Sequence, residues 1–284
     1  MRWLIALLAV HLVADISQVT FPLSPDPIDV VIPCAPKDVE VLERCINGIL
    51  KYGRNIRRVI VISQTPLISS SEWFDESKFP FSKKDIALEI FQGNEAEAAD
   101  FLATPKSRIG WIYQQFLKLY APFVIPAISP NVLILDADVI FLNPTSFMTD
   151  TGEPLFATGK EHWKPYFDLA ERLLPGLRRV HENDSGIVHH MLFQKPILED
   201  LFHLISVEHR TEPWKAICHC IDLKEIHFAA LSEYEIYFNF ALLRTPQAHI
   251  RPLKWTNISH LHDRKKHQKK GYSYVAYHDW RRKK

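Results

Sequence analysis

Short β-branched runs alternate with amphipathic stretches through the first half of the chain. Residues 28–33, IDVVIP, form an apolar run closed by proline and predict a buried strand. Val39, Leu42, Cys45, Ile46, Ile49 and Leu50 then recur at helical spacing, with charged residues at other angles and Gly53 at the end, which predicts an amphipathic helix. Residues 57–63, RRVIVIS, read as a second strand. Strand, helix and strand within about 35 residues make a right-handed crossover unit with parallel strands. Residues 64–107 are less patterned and predict a strand at 87–91 and a small helix at 95–102. A helix over 109–120 should end before Pro122. Val132 to Leu135 read as a strand buried on both faces, with Asp136-Ala137-Asp138 where it emerges. Beyond it the pattern predicts a strand at 154–159, helices near 165–174, 196–206 and 232–243, and an apolar segment at 186–193.

Composition fits that α/β reading. Of 284 residues, 47% are hydrophobic and 24% charged, which sets aside disorder, collagen and coiled coil. The nine glycines include no GxGxxG and none precedes a Lys-Ser or Lys-Thr, so glycine-dependent dinucleotide and P-loop sites are not expected. Cys34 and Cys45 fall on a strand end and a helix face and read as small buried groups. Cys218-His219-Cys220 lacks the paired spacing of a structural zinc site.

Net charge is +1, which argues for no nucleic-acid partner, but it is unevenly placed. Residues 251–284 hold eleven Lys and Arg against two acids, a local +9, while residues 1–250 hold 23 against 31, or −8. This basic end, including the tail at 281–284, is either a solvated terminus or a strip facing phosphate or an anionic membrane surface. The first fourteen residues, MRWLIALLAVHLVA, are apolar but shorter than the roughly 18 residues that read as a membrane span. Residues 1–20 therefore read as a signal, a membrane-seating segment or a buried helix; export by a signal stays open beside a cytoplasm-facing, peripheral location.

The carboxylate pair is the main chemical feature. In an open α/β sheet, ligands bind beyond the carboxyl ends of strands, where Asp136 and Asp138 belong. Two carboxylates leaving a strand two residues apart point the same way if the strand continues; they repel and suit a divalent cation, unless they cap a turn. A phosphohydrolase of the haloacid-dehalogenase type would use Asp136 as nucleophile and Asp138 as general acid. That motif normally lies near the domain's start, whereas about 110 residues of α/β structure precede it here, and no GDxxxD or Asp-Asp pair follows.

ILDADVIFLNP at 134–144 resembles the DxD segment of GT-A nucleotide-sugar glycosyltransferases. GWIYQQFLKLYAP at 110–122, GIVHHMLFQKPILEDLF at 186–202, SEYEIYFNF at 232–240 and YVAYHDW at 274–280 are similar to a poorly characterised bacterial family of such enzymes. The resemblance runs from residue 28 to 280. It implies a single GT-A type α/β domain with a mixed sheet flanked by helices, a hexosyltransferase activity, a nucleotide-sugar donor, a glycan or lipid-linked acceptor, and Mn²⁺ or Mg²⁺. It also implies roles. Asp138 would ligate the metal, Asp136 would contact the ribose or a metal-bound water, and His278 would be the returning metal ligand or else a packing histidine. Lys37 and Asp38, after the first strand, would meet a phosphate and the nucleoside, unless Asp38 only caps the following helix. Gln115 and Lys118 lie three apart on one helical face and match the family's QQxxK. For acceptor activation an inverting enzyme needs a carboxylate; Glu233 is the first choice, with Ser232 as its helix N-cap, and Asp184 the second. A non-catalytic sugar-nucleotide-binding relic of the same fold is the remaining alternative.

Overall fold

In the computed structural model, residues 15–278 and Arg282 are described. The chain runs β1 (Ile28–Pro33), α1 (Val39–Tyr52), β2 (Ile56–Ser63), β3 (Glu72–Asp75), α2 (Lys83–Ile90), α3 (Glu95–Ala103), α4 (Ile109–Val124), β4 (Asn131–Leu135), β5 (Val139–Phe141), β6 (Leu155–Phe156) and α5 (Lys164–Leu173). It continues through β7 (His190–Gln194), α6 (Lys195–His209), α7 (Pro213–His219), α8 (Glu233–Arg244), β8 (His249–Ile250), β9 (Trp255–Asn257), α9 (Asp263–Lys269) and β10 (Tyr274–Ala276).

Five strands form the main sheet in the order β3-β2-β1-β4-β7, parallel except for β7, which pairs antiparallel with β4. Alternation along the strands feeds two cores. Val31, Ile60, Ile62, Val132, Ile134 and Phe193 face a large core shared with α2, α4, α6 and α8. Val30, Ile32, Val59, Val61, Leu133 and Leu135 face a second core closed by Leu42, Cys45 and Ile46 of α1 and by Phe141 and Tyr274. Those last two belong to a small sheet, β5-β10-β9. The result is the expected mixed α/β sheet with helices on both faces, in one domain.

The opening strand, helix and strand stand as the pattern predicts. Three elements differ. The expected strand at 87–91 is the end of α2, which Ser82 and Asp85 start with a reciprocal capping box: each side chain accepts from the other's backbone amide. Ile86, Ala87 and Ile90 are its buried face. The helix at 109 runs past Pro122 to Val124. A proline inside a helix costs about 3 kcal/mol, but this one sits near the end, next to buried Phe116, Leu119 and Tyr120. Burying each large side chain contributes about 1.5–3 kcal/mol, so packing wins. The strand expected at 154–159 is reduced to the two residues of β6. No helix among the described residues is long and apolar enough to cross a membrane. The apolar residues 1–14, and most of the tail at 281–284, lie outside the described residues.

Candidate functional site

In the main sheet β2 and β3 lie on one side of β1 and β4 on the other, so the chain reverses direction across the sheet between β1 and β4. At such a switch point the loops beyond the carboxyl ends diverge and leave a crevice. A cavity of about 710 Å³ opens there. Its walls are the β1–α1 connection from Pro33 to Asp38, the end of β2 from Ile62 to Thr65, Arg108, Trp111 and Gln114 around the start of α4, the turn Asp136-Ala137-Asp138, and His278.

The strand does not continue through the two aspartates. The Val139 amide donates to the Asp136 carbonyl at 3.2 Å, closing a turn. The carboxylates are consequently placed in different surroundings, rather than side by side as an extended strand would hold them. Asp136 Oδ1 accepts from Lys118 Nζ at 2.6 Å and from the Tyr234 hydroxyl at 3.2 Å, and its Oδ2 is 3.4 Å from His189 Nδ1. Burial raises its pKa, but Lys118 and the bond from His189 more than offset this and hold it well below the usual carboxylate range. Asp138 Oδ2 lies 2.7 Å from His278 Nδ1. Its Oδ1 is buried and has no hydrogen-bond partner among the described residues.

His278 reaches Asp138 through the small sheet. β10 pairs antiparallel with β5, Ala276 opposite Val139, and the Tyr277 amide donates to the Asp138 carbonyl at 2.9 Å. The next residue delivers its imidazole to the carboxylate.

Behind Asp136 lies a buried ion-pair network. Lys118 Nζ also donates to Glu233 Oε1 at 2.7 Å. Burial alone would lower the Lys118 pKa; Asp136 and Glu233 raise it instead. Glu233 is 3% exposed, and burial pushes its pKa up, with Lys118 offsetting only part. Ser232 caps α8 as expected, its hydroxyl accepting from the Glu235 amide at 3.2 Å. Gln115 Oε1 accepts from the Glu233 amide at 3.0 Å. Gln115 and Lys118 do share a helical face, but that face is turned toward α8, and neither residue lines the cavity; Gln114, one position earlier, does.

The remaining expected residues separate. Lys37 and Asp38 line the cavity. Asp38 occupies the N-cap position of α1 but its side chain makes no capping bond; it accepts from Arg282 at 2.8 Å. Asp184 does not line the cavity: its side chain is 29% exposed and bonded to Lys160 at 3.1 Å, which lowers its pKa. Cys34 lines the cavity as a neutral thiol, pushed up to about 12 by burial. No three His, Cys, Asp or Glu side chains gather where they could hold a metal ion among the described residues. Cys218 is buried and His219 bonds Glu89 at 2.9 Å.

Four participants escape the sequence reading. Tyr234 stands beside Glu233 in SEYE, Arg108 just precedes the helix that carries Lys118, and His189 lies inside the GIVHHM segment. Arg282, in the basic tail, is read there only as one of a run of charges.

A family model described as "Family of unknown function (DUF6492)" matches residues 24–279. No curated protein matches the chain. Among solved structures it is similar to mouse xyloside xylosyltransferase 1 in its apo form, at 11% identity over 91% of this chain and 99% of that one, with a TM-score of 0.41. It is also similar to the apo structure of the bifunctional glycosyltransferase WbbM, at 11% identity over 92% of this chain but 46% of that one, with a TM-score of 0.38.

Proposed function

For this chain, which belongs to that family of unknown function, we propose a metal-dependent glycosyltransferase that moves a sugar from a nucleotide-sugar donor to the hydroxyl of a glycan or lipid-linked acceptor. The observation that carries this reading is the buried, unpartnered Oδ1 of Asp138, beside His278, at the mouth of a switch-point cavity. A buried carboxylate oxygen without a hydrogen bond costs free energy unless something binds it. Its chemistry suits a hard divalent cation that keeps one or two protein ligands and takes the rest from phosphate and water.

Asp138 and His278 would hold Mn²⁺ or Mg²⁺. When bound, such an ion supplies positive charge to the diphosphate that departs as the glycosidic bond breaks. The protein's own groups do the rest. Lys83, Lys37 and Arg108 bring cationic side chains to a cavity whose volume suits a nucleotide-sized ligand. Trp111, with Arg108 over its ring, brings an aromatic side chain to the cavity wall against which a base would stack. Lys118 keeps Asp136 ionised and Glu233 holds Lys118 in place, so that Asp136 can accept from a sugar or ribose hydroxyl without rearranging. In this reading Glu233 positions Asp136 through Lys118.

We further propose that the protein seats at an anionic membrane surface. Lys265, Lys266, Lys269 and Lys270 are all exposed along α9 and its end. The helix buries none of its residues.

Incubating the purified protein with Mn²⁺ and a panel of sugar nucleotides tests the main reading. Slow donor hydrolysis is expected, and Asp138→Asn should abolish Mn²⁺-dependent donor binding while leaving the melting temperature unchanged or raised. Turnover of sugar phosphates or aryl phosphates alone would mark a phosphohydrolase. Donor binding without turnover in the presence of acceptor glycans would mark a non-catalytic relic.

A further inference from the structure

His189 joins the two halves of this site, and its backbone is held in an unfavourable conformation to do so. Its φ is +67°, in the left-handed region that a residue with a side chain seldom occupies. Such conformations are unfavourable and persist where the surroundings over-determine them. Here the flanks are pinned on both sides. Ser185 bridges to Gly159, its hydroxyl donates to Glu235 and accepts from the Ile187 amide, and Gly186 lies so close to Phe238 and the Tyr234 carbonyl that a Cβ would not fit. The Val188 carbonyl accepts from the Tyr274 hydroxyl at 2.8 Å, and from His190 onward the chain is paired with β4.

What the left-handed corner achieves is a double contact with Asp136. The His189 carbonyl accepts from the Asp136 amide at 3.0 Å while its ring turns Nδ1 toward Asp136 Oδ2 at 3.4 Å. The same ring stands edge-on to His278, centroids 4.6 Å apart, and to Trp255 at 5.2 Å. It is 14% exposed and does not line the cavity.

We propose that His189 is a positioning residue that sets Asp136 and His278 in register with each other, so that the metal-binding pair of Asp138 and His278 is assembled before any ligand arrives. The proposal rests on the metal-dependent reading above. It acts through other residues, as outer partners of metal ligands do, whose removal typically costs 10- to 100-fold in metal affinity or activity.

Full-length wild type, His189→Asn and His189→Gly are to be compared. Both replacements adopt left-handed backbone readily, so the melting temperature should hold or rise. Mn²⁺ affinity, read without donor from the paramagnetic signal of free Mn²⁺, should weaken about 10- to 100-fold in both. Imidazole ¹⁵N relaxation of His278 should show a more mobile ring. If both variants keep wild-type Mn²⁺ affinity and a wild-type His278 ring, His189 is only a corner of the chain and the proposal is overturned. If the wild type itself binds no Mn²⁺, the metal reading fails instead, and the His278 ring alone decides: greater mobility in the variants supports positioning, and an unchanged ring overturns it.

Discussion

Two carboxylates at opposite ends of the main sheet receive opposite treatment. Asp29, near the amino end of β1, is fully buried and completely satisfied. Arg57 donates to both of its oxygens, at 2.7 and 2.5 Å, Arg58 donates at 3.2 Å and the Ser129 amide at 2.9 Å. Burial raises its pKa, and Arg57, Ser129 and Arg58 together bring it below the ordinary value. Asp138, beyond the carboxyl end of β4, shares one oxygen with a histidine and leaves the other bare. A charge whose bonds are complete secures the fold; one that holds a buried oxygen with no bond is poised for a ligand.

The sharpest way to break this contrast is Asp29→Asn. It leaves two guanidinium groups without their carboxylate, and breaking a buried pair costs about 3–5 kcal/mol. Arg57 is 43% exposed and regains water, so about 3 kcal/mol is expected by urea titration, with Mn²⁺ and donor binding intact. A loss below about 1 kcal/mol would show that the pair is as weak as a surface one.

A smaller effect is expected at His190, a buried imidazole set edge-on among Phe141, Phe147 and Tyr274. Burial, then the nearby Arg251, push its pKa down to about 3. The folded chain thus resists a proton that the unfolded chain accepts near pH 6.5. Its contribution to stability is complete above about pH 6.5 and falls away as the pH drops toward 3. Comparing urea unfolding at pH 7 and pH 4.5, His190→Gln should lose less stability than wild type, by up to about 2.5 kcal/mol; equal losses would show that the ring is protonated in the fold.

The exposed charges should matter least to the folded chain. Neutralising Lys265, Lys266, Lys269 and Lys270 should leave unfolding unchanged but reduce co-sedimentation with anionic vesicles, most at low salt, since each basic residue near a bilayer adds about 1 kcal/mol and is screened. Full-length protein that ignores such vesicles at low salt would remove the membrane placement.

The longer elements around the sheet were legible from sequence. β1, α1, β2 and β4 are long apolar runs or clear helical stripes, and they suffice to place the switch point. The short pieces were not: β3, β8, β9 and β10 have two to four residues each, too few for any periodicity, and β10 is the one that brings His278 home. In the site, DxD and the family-like segments singled out Asp136, Asp138, Lys118, Glu233 and His278. How they pair could not be read, because the Lys118–Glu233 bond spans 115 positions and depends on how α4 meets α8. The two aspartates part because of the turn at Asp136, which no residue there announces. His189 leaves no sequence signal, since its left-handed backbone is imposed by the pinned chain on either side.

The route by which His278 arrives also sets a clock. Asp138 and His278 are 140 positions apart. At roughly 5–20 residues per second of synthesis, the aspartate waits roughly 7 to 28 s for its partner, long after β4 can pair with β1. During that interval a nascent chain holds the β1, β2 and α4 walls of the cavity without the histidine. The site is therefore expected to be completed only as synthesis reaches β10, which separates the pairing of the main sheet from the assembly of Asp138 with His278.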